Sequence, residues 1–323
     1  MSNLRFIGHT GEIRNLRRLH AKSMFVFDAN AILTMLGCVR RNEKISPAYN
    51  AVLMESRARV HLHWQVREKY LPVDPVLGIM ELTKQDLALD YPAYLNYFNS
   101  FFSTLYRVTN YDPRWVSMTY EAGLPVVKRT HHSVARTIHQ VLLLAPKTGG
   151  LKPPQILQNI EQFLSWALIH HEELEVMGGP LLHLAVYAIA GEPSAHRFLK
   201  LARLEKDGVA SVSRNVAWDI MHWINLDLNY YYGKYQSTVV CTADQALGDF
   251  LLMRRNMGPR GSSAMMTSSA FVESFGTLKL PNLSKIEGTN LGAEINQLLL
   301  AFWQRLIAVS KNENIFFAPQ NLS

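Results

Sequence analysis

One short stretch decides the predicted fold, and it reads Met24-Phe25-Val26-Phe27-Asp28-Ala29-Asn30. Four apolar residues in succession, without polar alternation, are typical of a strand that is buried on both faces. The acid that follows needs a partner, because an unpaired buried carboxylate is too costly. The stretch therefore predicts a central parallel strand that places Asp28 at the crevice where open α/β sheets bind ligands. The alternative is that Asp28 only caps a helix that begins near Ala31.

A second stretch, Ser237-Thr238-Val239-Val240-Cys241, has the same character and is followed by Thr242-Ala243-Asp244. Because the carboxyl ends of parallel strands meet at one edge of a sheet, Asp28 and Asp244 are predicted to point into one crevice. Two more acids stand in apolar helical surroundings, where the alternatives are a surface glutamate and a charge at a helix start. They are Glu81, in Gly78-Ile79-Met80-Glu81-Leu82, and Asp219, in Val216-Ala217-Trp218-Asp219-Ile220-Met221.

These four acids together predict a site for a divalent cation. Carboxylates that are brought close to one another repel, and burial raises that cost. Mg²⁺ and Mn²⁺ prefer carboxylate and water oxygens, and such a site can activate water and offset the charge of a phosphate in transfer. Chemistry that needs several acids without His or Cys is metal-assisted phosphodiester hydrolysis. Asn30 and Thr242 flank the acids and are predicted to orient carboxylates or a metal-bound water.

The order of these residues resembles that of the PIN-domain nucleases. In that family a strand ends in Asp with a polar residue two positions later, and a helical Glu follows a Pro-containing turn. A helix-borne Asp and a strand that ends in Thr-x-Asp come next. The resemblance implies a metal-dependent endoribonuclease in which the four acids surround one or two Mg²⁺ or Mn²⁺ ions. The matching segments are Phe27-Asp28-Ala29-Asn30, Ile79-Met80-Glu81-Leu82-Thr83, Ala217-Trp218-Asp219-Ile220 and Cys241-Thr242-Ala243-Asp244.

Asp227 competes with Asp219 for the third acidic position of this pattern. Asp219 fits the family better because it lies near the start of a helix predicted over residues 215–232, whereas Asp227 lies towards its end. Minimal members of the family have a much shorter interval between the Glu and this Asp. The resemblance therefore implies an α/β fold with a PIN-like parallel sheet, flanked by helices and interrupted by a mostly helical insertion.

The predicted domain organisation follows from this interval. Residues 1–22, which are basic and weakly patterned, are predicted to be a leader or surface helix, and Pro72-Val73-Asp74-Pro75 is predicted to break a preceding helix. An aromatic stripe with helical spacing, over residues 91–106, is predicted to be core. The predicted parts are a first half of the PIN-like domain (1–90), the insertion (91–207), the second half (208–262), and an irregular segment with a C-terminal helix (263–323).

The composition is that of a soluble globular protein. The 323 residues are 48% hydrophobic and 18% charged. Two distant cysteines exclude a disulfide framework and a Cys-based zinc site, and they favour a reducing, cytoplasmic location. No stretch reaches the roughly 18 uncharged apolar residues of a membrane helix. The N-terminus lacks the apolar core of a signal peptide, so no membrane association is predicted.

The formal net charge of +7 permits a polyanionic partner. Arg254 and Arg255 follow the helix after Asp244 and are predicted to contact substrate phosphates, although ordinary surface charge explains them equally well. The partner implied by the resemblance is RNA, single-stranded or structured, with an inhibitor or partner protein if the enzyme is a toxin or defence effector. The apolar face of a helix predicted over residues 290–309 serves either the core or a homo-oligomer.

Two other functions compete with the nuclease. The first is a non-catalytic RNA-binding or scaffold protein with a PIN-like fold, although a binding module gains nothing from a repulsive acidic cluster. The second is an aspartyl-phosphate phosphatase of the haloacid-dehalogenase type, which needs a second Asp where Asn30 stands. The histidine pairs His131-His132 and His170-His171 lack the i, i+4 spacing of helical metal ligands, and they are predicted to lie on solvated helix faces.

Overall fold

Most of the chain is described by a computed structural model, and the structural statements below concern those residues. Within them the protein is an α/β protein that is mostly helical, with one five-stranded mixed sheet. The described stretches are residues 5–8, 11–16, 19, 23–43, 46–66, 73–83, 90–109, 113–146, 151–171, 180–231, 237–254 and 290–309.

The five strands of the sheet follow the order β2-β1-β5-β3-β4. The three strands β4, β3 and β5 are parallel, whereas β1 is antiparallel to both β5 and β2. Every residue of β3 is buried, which confirms the strand that its apolar run predicts. The strand bounds are β1 Arg5–Gly8, β2 Gly11–Glu12, β3 Ser23–Phe27, β4 Val73–Asp74 and β5 Ser237–Thr242.

The predicted parallel sheet is therefore correct for three strands and wrong for the other two. Where a leader or surface helix was predicted, β1 and β2 form an antiparallel hairpin. The hairpin lies beside β5, and Arg5 extends from it to Asp249, with 2.6 Å between Nη1 and Oδ1. The predicted helix break at Val73–Asp74 is a short strand beside β3. Strands this short carry little periodicity of their own, and their pairing with distant strands stabilises them.

Several of the twelve helices begin at proline, whose fixed φ suits the first helical turn and whose missing N–H is not needed there. A π-helical turn, Phe101–Tyr106, continues α4, and a 3₁₀ turn, Leu201–Arg203, precedes α9. No helix in the described stretches is both long and apolar enough to cross a membrane. The bounds are α1 Ala29–Arg40, α2 Pro47–Val66, α3 Val76–Leu82, α4 Tyr91–Ser100, α5 Pro113–Leu144, α6 Pro153–Ile169, α7 Pro180–Ile189, α8 Pro193–Phe198, α9 Leu204–Asp207, α10 Val209–Tyr231, α11 Gln245–Arg254 and α12 Asn290–Val309.

The chain divides into two compact units. Unit 1 comprises Met1–Arg129 and Trp218–Leu252, and unit 2 comprises Thr130–Ala217 and Met253–Ser323. The aromatic stripe of residues 91–106 is core, as predicted, but it belongs to unit 1 with the sheet. Its Phe101 ring lies edge-on to the ring of Phe27, with 5.5 Å between their centroids. The predicted insertion, residues 91–207, therefore contributes to both units.

Unit 2 is helical in its described residues. Its α12 packs against α6, and one apolar face of α12 is buried, whereas Leu300 and Val309 are exposed. The apolar face of the C-terminal helix thus serves the core of its own unit, and a homo-oligomer remains a prediction without this face to support it. The buried residues of α12 are Leu291, Ile295, Leu299, Phe302 and Leu306.

Candidate active site

The parallel register of β3 and β5 places Asp28 and Thr242 side by side. Phe27 is paired with Cys241, so the next residue of each strand lies at the same level. The Asp28 N–H donates to the Cys241 carbonyl at 3.2 Å, and the Thr242 hydroxyl donates to Asp28 Oδ2. Asp28 Oδ1 accepts from the Ala31 N–H at 2.6 Å. Asp28 thus lies at the carboxyl edge of the sheet and also caps α1. The strand-end position and the helix cap, which were predicted as alternatives, are both present.

Glu81 lies near Asp28 because α3 packs closely against the end of β3 at Gly78. A Cβ atom at Gly78 would lie 2.3 Å from the Phe27 carbonyl oxygen and 3.0 Å from the carbonyl carbon of Asp28. Only glycine allows α3 to lie this close to the end of β3. Glu81 follows three residues later, on the same face of the helix, and its side chain is buried. Gly78 is therefore part of the predicted segment for a packing reason.

Helix α10 contributes Asp219 and also His222, which the sequence did not predict. The two residues are three positions apart and share a helix face. Asp219 is buried, and His222 is fully buried. The His222 Nε2 donates to Glu81 Oε2 at 3.1 Å. The signal in the sequence is a histidine one turn after an apolar-flanked acid, which differs from the adjacent histidine pairs. The predicted solvated face is wrong for one of those pairs, because His131 is buried.

The pKa values of Asp28 and His222 reflect this clustering. Burial raises the pKa of Asp28 to about 7, and the charge of Glu81 adds to the rise; the charge of His222 and the hydrogen bonds from Thr242 and Ala31 act in the opposite direction. Burial alone would lower the pKa of His222. The hydrogen bond to Glu81 and the charges of Glu81, Asp28 and Asp219 outweigh burial, so the pKa of His222 is raised. The surrounding carboxylates therefore favour the imidazolium form of His222 more than water does.

Asp244 lies at the adjacent strand end in a different environment. Its side chain is partly exposed, and its Oδ1 accepts from the N–H groups of Ala246 and Leu247, at 2.8 and 3.1 Å. It thereby caps α11. The Asp244 N–H donates to Thr242 Oγ1 at 2.9 Å, so the Thr242 hydroxyl links this turn to the Asp28 carboxylate. Thr242 thus contacts the Asp28 carboxylate, and its orienting role at a metal site stays a prediction.

The other predicted site residues are less completely described. Asn30 is exposed in the first turn of α1, and its orienting role stays a prediction. Arg254 is the last residue of α11, but its side chain lies outside the described part of the chain, as does the whole of Arg255. The side chain of Asp227 is likewise outside that part. Asp219, the preferred third acid, lies near His222, but the ground for preferring it was wrong: α10 begins at Val209, so Asp219 is in the middle of the helix and not near its start.

The chemistry of the donor set suits a hard divalent cation. When all three acids are ionised, Asp28, Glu81 and Asp219 carry three negative charges against one positive charge on His222, which leaves a net charge of minus two. His222 Nδ1 is buried and has no hydrogen-bond partner among the described residues. In the same stretches no three acidic, His or Cys side chains are already arranged as ligands around one point. A cation would therefore have to draw these carboxylates together, which need not break their contacts with His222 and Thr242, because each carboxylate has about four acceptor sites.

Comparison of the chain with protein-family models, with curated proteins and with solved structures found no match. The resemblance to the PIN-domain nucleases therefore depends on the four short segments quoted above. The contacts, burial and charge of the site itself are the evidence for its function.

Proposed function

We propose that this protein is a divalent-metal-dependent nuclease that hydrolyses phosphodiester bonds in RNA. The observation that carries the proposal is the burial of Asp28, Glu81 and Asp219 near one histidine at the carboxyl edge of parallel strands. Burying several carboxylates costs free energy that a core of ordinary apolar residues would avoid. A reaction that needs closely spaced oxygen ligands gives this arrangement a purpose.

Each side chain has a definable task in the proposed reaction. Asp28, Glu81 and Asp219 would hold Mg²⁺ or Mn²⁺, with Asp244 at the neighbouring strand end. The bound ion would polarise a phosphate oxygen and make water more acidic. The Asp28 carboxylate is held in orientation at both oxygens, by the Thr242 hydroxyl and by the Ala31 N–H. Such support of a ligand typically matters about 10- to 100-fold for metal affinity or activity.

Support for RNA as the substrate comes from the family resemblance and from the net charge of +7. A positively charged protein attracts any polyanion, so charge alone does not distinguish RNA from DNA. The activity assay must therefore include both nucleic acids.

The test is a cleavage assay with single-stranded RNA, structured RNA and single-stranded DNA, each with Mn²⁺, Mg²⁺ or chelator. The parent is expected to cut RNA only with metal, and Asp28→Asn is expected to be inactive. Glu192→Gln is the matched control, because Glu192 is also a buried acid that caps a helix, α8, but it lies in unit 2. Equal cleavage by the parent and Asp28→Asn would contradict the proposal.

The second candidate is a non-catalytic RNA-binding or scaffold protein. The observation that favours it is that, among the described residues, no three acidic, His or Cys side chains are arranged as metal ligands. Titration calorimetry with Mn²⁺ separates the two functions. RNA binding by a protein that takes up no Mn²⁺ would favour the scaffold.

A further inference from the structure

His222 is a buried polar side chain of unit 1 that neither the predicted pattern nor the proposed reaction uses. It is fully buried on α10, and its Nε2 donates to the acid on α3 that would bind the metal. Glu81 lies on α3, a helix of seven residues, and the hydrogen bond with His222 links its carboxylate to α10.

We infer that His222 is a positioning residue, which holds the Glu81 carboxylate in place through its Nε2–H so that the acids can receive a divalent cation. This inference rests on the proposed function and deepens it. Because His222 follows Asp219 by one helical turn, a single helix sets the position of one acid directly and of a second acid through the imidazole. The side chain touches a predicted ligand and not the reacting atoms.

The geometry of the imidazole suits this role. Of its two nitrogens, Nε2 carries the contact with Glu81, and Nδ1 has no hydrogen-bond partner among the described residues. The hydrogen bond at Nε2 is therefore with an acid of the site, and the charges of Asp28 and Asp219 also act on the ring.

Two substitutions of His222 test separately the donor at the Nε2 position and the donor at the Nδ1 position. The side-chain nitrogen of Gln is about three bonds from Cβ, as Nε2 of His is. The side-chain nitrogen of Asn is about two bonds from Cβ, as Nδ1 of His is. His222→Gln therefore keeps a donor towards Glu81, and His222→Asn does not. We expect His222→Gln to hold Mn²⁺ within about threefold of the parent and His222→Asn to bind it about 10- to 100-fold more weakly. Mn²⁺ affinity is measured by titration calorimetry and by the electron paramagnetic resonance of free Mn²⁺.

The cleavage kinetics give a second readout. His222→Asn is expected to regain most of its kcat at saturating Mn²⁺, because a displaced Glu81 weakens metal binding before it affects the chemical step. His131 supplies the matched control: it is a buried histidine in unit 2 whose Nε2 lies 3.0 Å from the Arg214 carbonyl oxygen. His131→Gln and His131→Asn are expected to leave the Mn²⁺ affinity unchanged, even where they lower stability.

A measurement on the metal-free protein tests the contact itself. The ¹⁵N resonance of His222 Nε2 is expected to report a protonated nitrogen and to shift in Glu81→Gln. Equal Mn²⁺ affinity in the parent, His222→Gln and His222→Asn would overturn the positioning role and leave the nuclease proposal intact. An equal loss of Mn²⁺ affinity in His222→Gln and His222→Asn would also overturn it. So would an Nε2 resonance that has the same chemical shift in the parent and in Glu81→Gln. A parent protein that binds no Mn²⁺ would overturn the proposed function and this inference with it.

Discussion

Two neighbouring strand ends in unit 1 carry the same sequence pattern and have different environments. Each of β3 and β5 is an apolar run followed by an acid and a helix, and the two strands are parallel. Asp28 is 2% exposed and belongs to the cluster with Glu81 and His222. Asp244 is partly exposed, and its carboxylate caps α11. Equivalent positions in sequence are therefore not equivalent in the site.

Strand register explains the difference. Phe27 is paired with Cys241, so Asp28 is level with Thr242, and Asp244 lies two residues further along the chain. Asp28 lies at the end of the sheet, where α3 packs against it at Gly78. The second acid belongs to the turn into α11, where solvent reaches it. Both acids cap the helix that follows, and the shift of two residues makes one of them buried and the other partly exposed.

The largest expected difference between the two strand ends is in activity. Asp28→Asn is expected to lower kcat/KM for RNA by about 100-fold or more, and Asp244→Asn by about 10-fold. The reason is that Asp28 lies among the clustered acids, whereas Asn at position 244 retains the cap and loses one partly exposed charge. Both are measured with Mn²⁺ at a fixed salt concentration. Equal losses would show that the two strand ends act alike.

The next difference concerns two glycines on helices near the strand ends, Gly78 on α3 and Gly248 on α11. Gly78→Ala would place Cβ 2.3 Å from a backbone oxygen, whereas Gly248→Ala would meet the Arg5 side chain, with Nη1 at 2.9 Å. Backbone cannot yield as a long side chain can, so Gly78→Ala is expected to cost about 3 kcal/mol and Gly248→Ala less than about 1 kcal/mol. Hydrogen exchange at the β3 amides reports the stability of unit 1. A cost at Gly248 as large as that at Gly78 would contradict this account.

The pH dependence of stability is the third difference. The pKa of Asp28, about 7 in the folded protein against an ordinary 3.8, means that the folded state binds more protons between these values. Stability of the metal-free protein is therefore expected to fall as pH rises from 5 to 7, by up to about 2 kcal/mol. The raised pKa of His222 has the same sign and continues the fall above its ordinary 6.5.

The difference between the parent and Asp28→Asn isolates the first part of this dependence. Unfolding is measured at several pH values in chelator, and the fall between pH 5 and 7 is expected to be smaller in Asp28→Asn. A parent protein that becomes more stable over this interval, relative to Asp28→Asn, would show that Asp28 is not a protonated buried acid.

The smallest expected effect is on the cap at the second strand end. Asp244→Ala removes the acceptor for the Ala246 and Leu247 N–H groups and is expected to cost about 1 kcal/mol. Asp244→Asn is expected to cost less, because its side-chain oxygen still accepts. Faster exchange at the α11 amides in Asp244→Ala, but not in Asp244→Asn, is the expected result. No change in either variant would show that the cap contributes nothing to α11.

Much of the fold could be predicted because its signals are local. The apolar runs of β3 and β5 and the helical spacing of α12 need only neighbouring residues to be recognised, and the structure confirms these elements. The hairpin β1–β2 and the strand β4 could not be predicted, since they are short and their partners are distant in sequence. His222 escaped prediction for a related reason, because its partner Glu81 lies on another helix.

The sequence by itself determined which residues form the two apolar strands and which acids follow them or stand in helices, because periodicity and composition act over a few residues. Only the tertiary structure decided that Asp28 meets Thr242, that Gly78 lets Glu81 approach, and that His222 lies near three carboxylates. These outcomes depend on strand register and helix packing. Both are set by contacts between residues far apart in the chain, which no local pattern encodes.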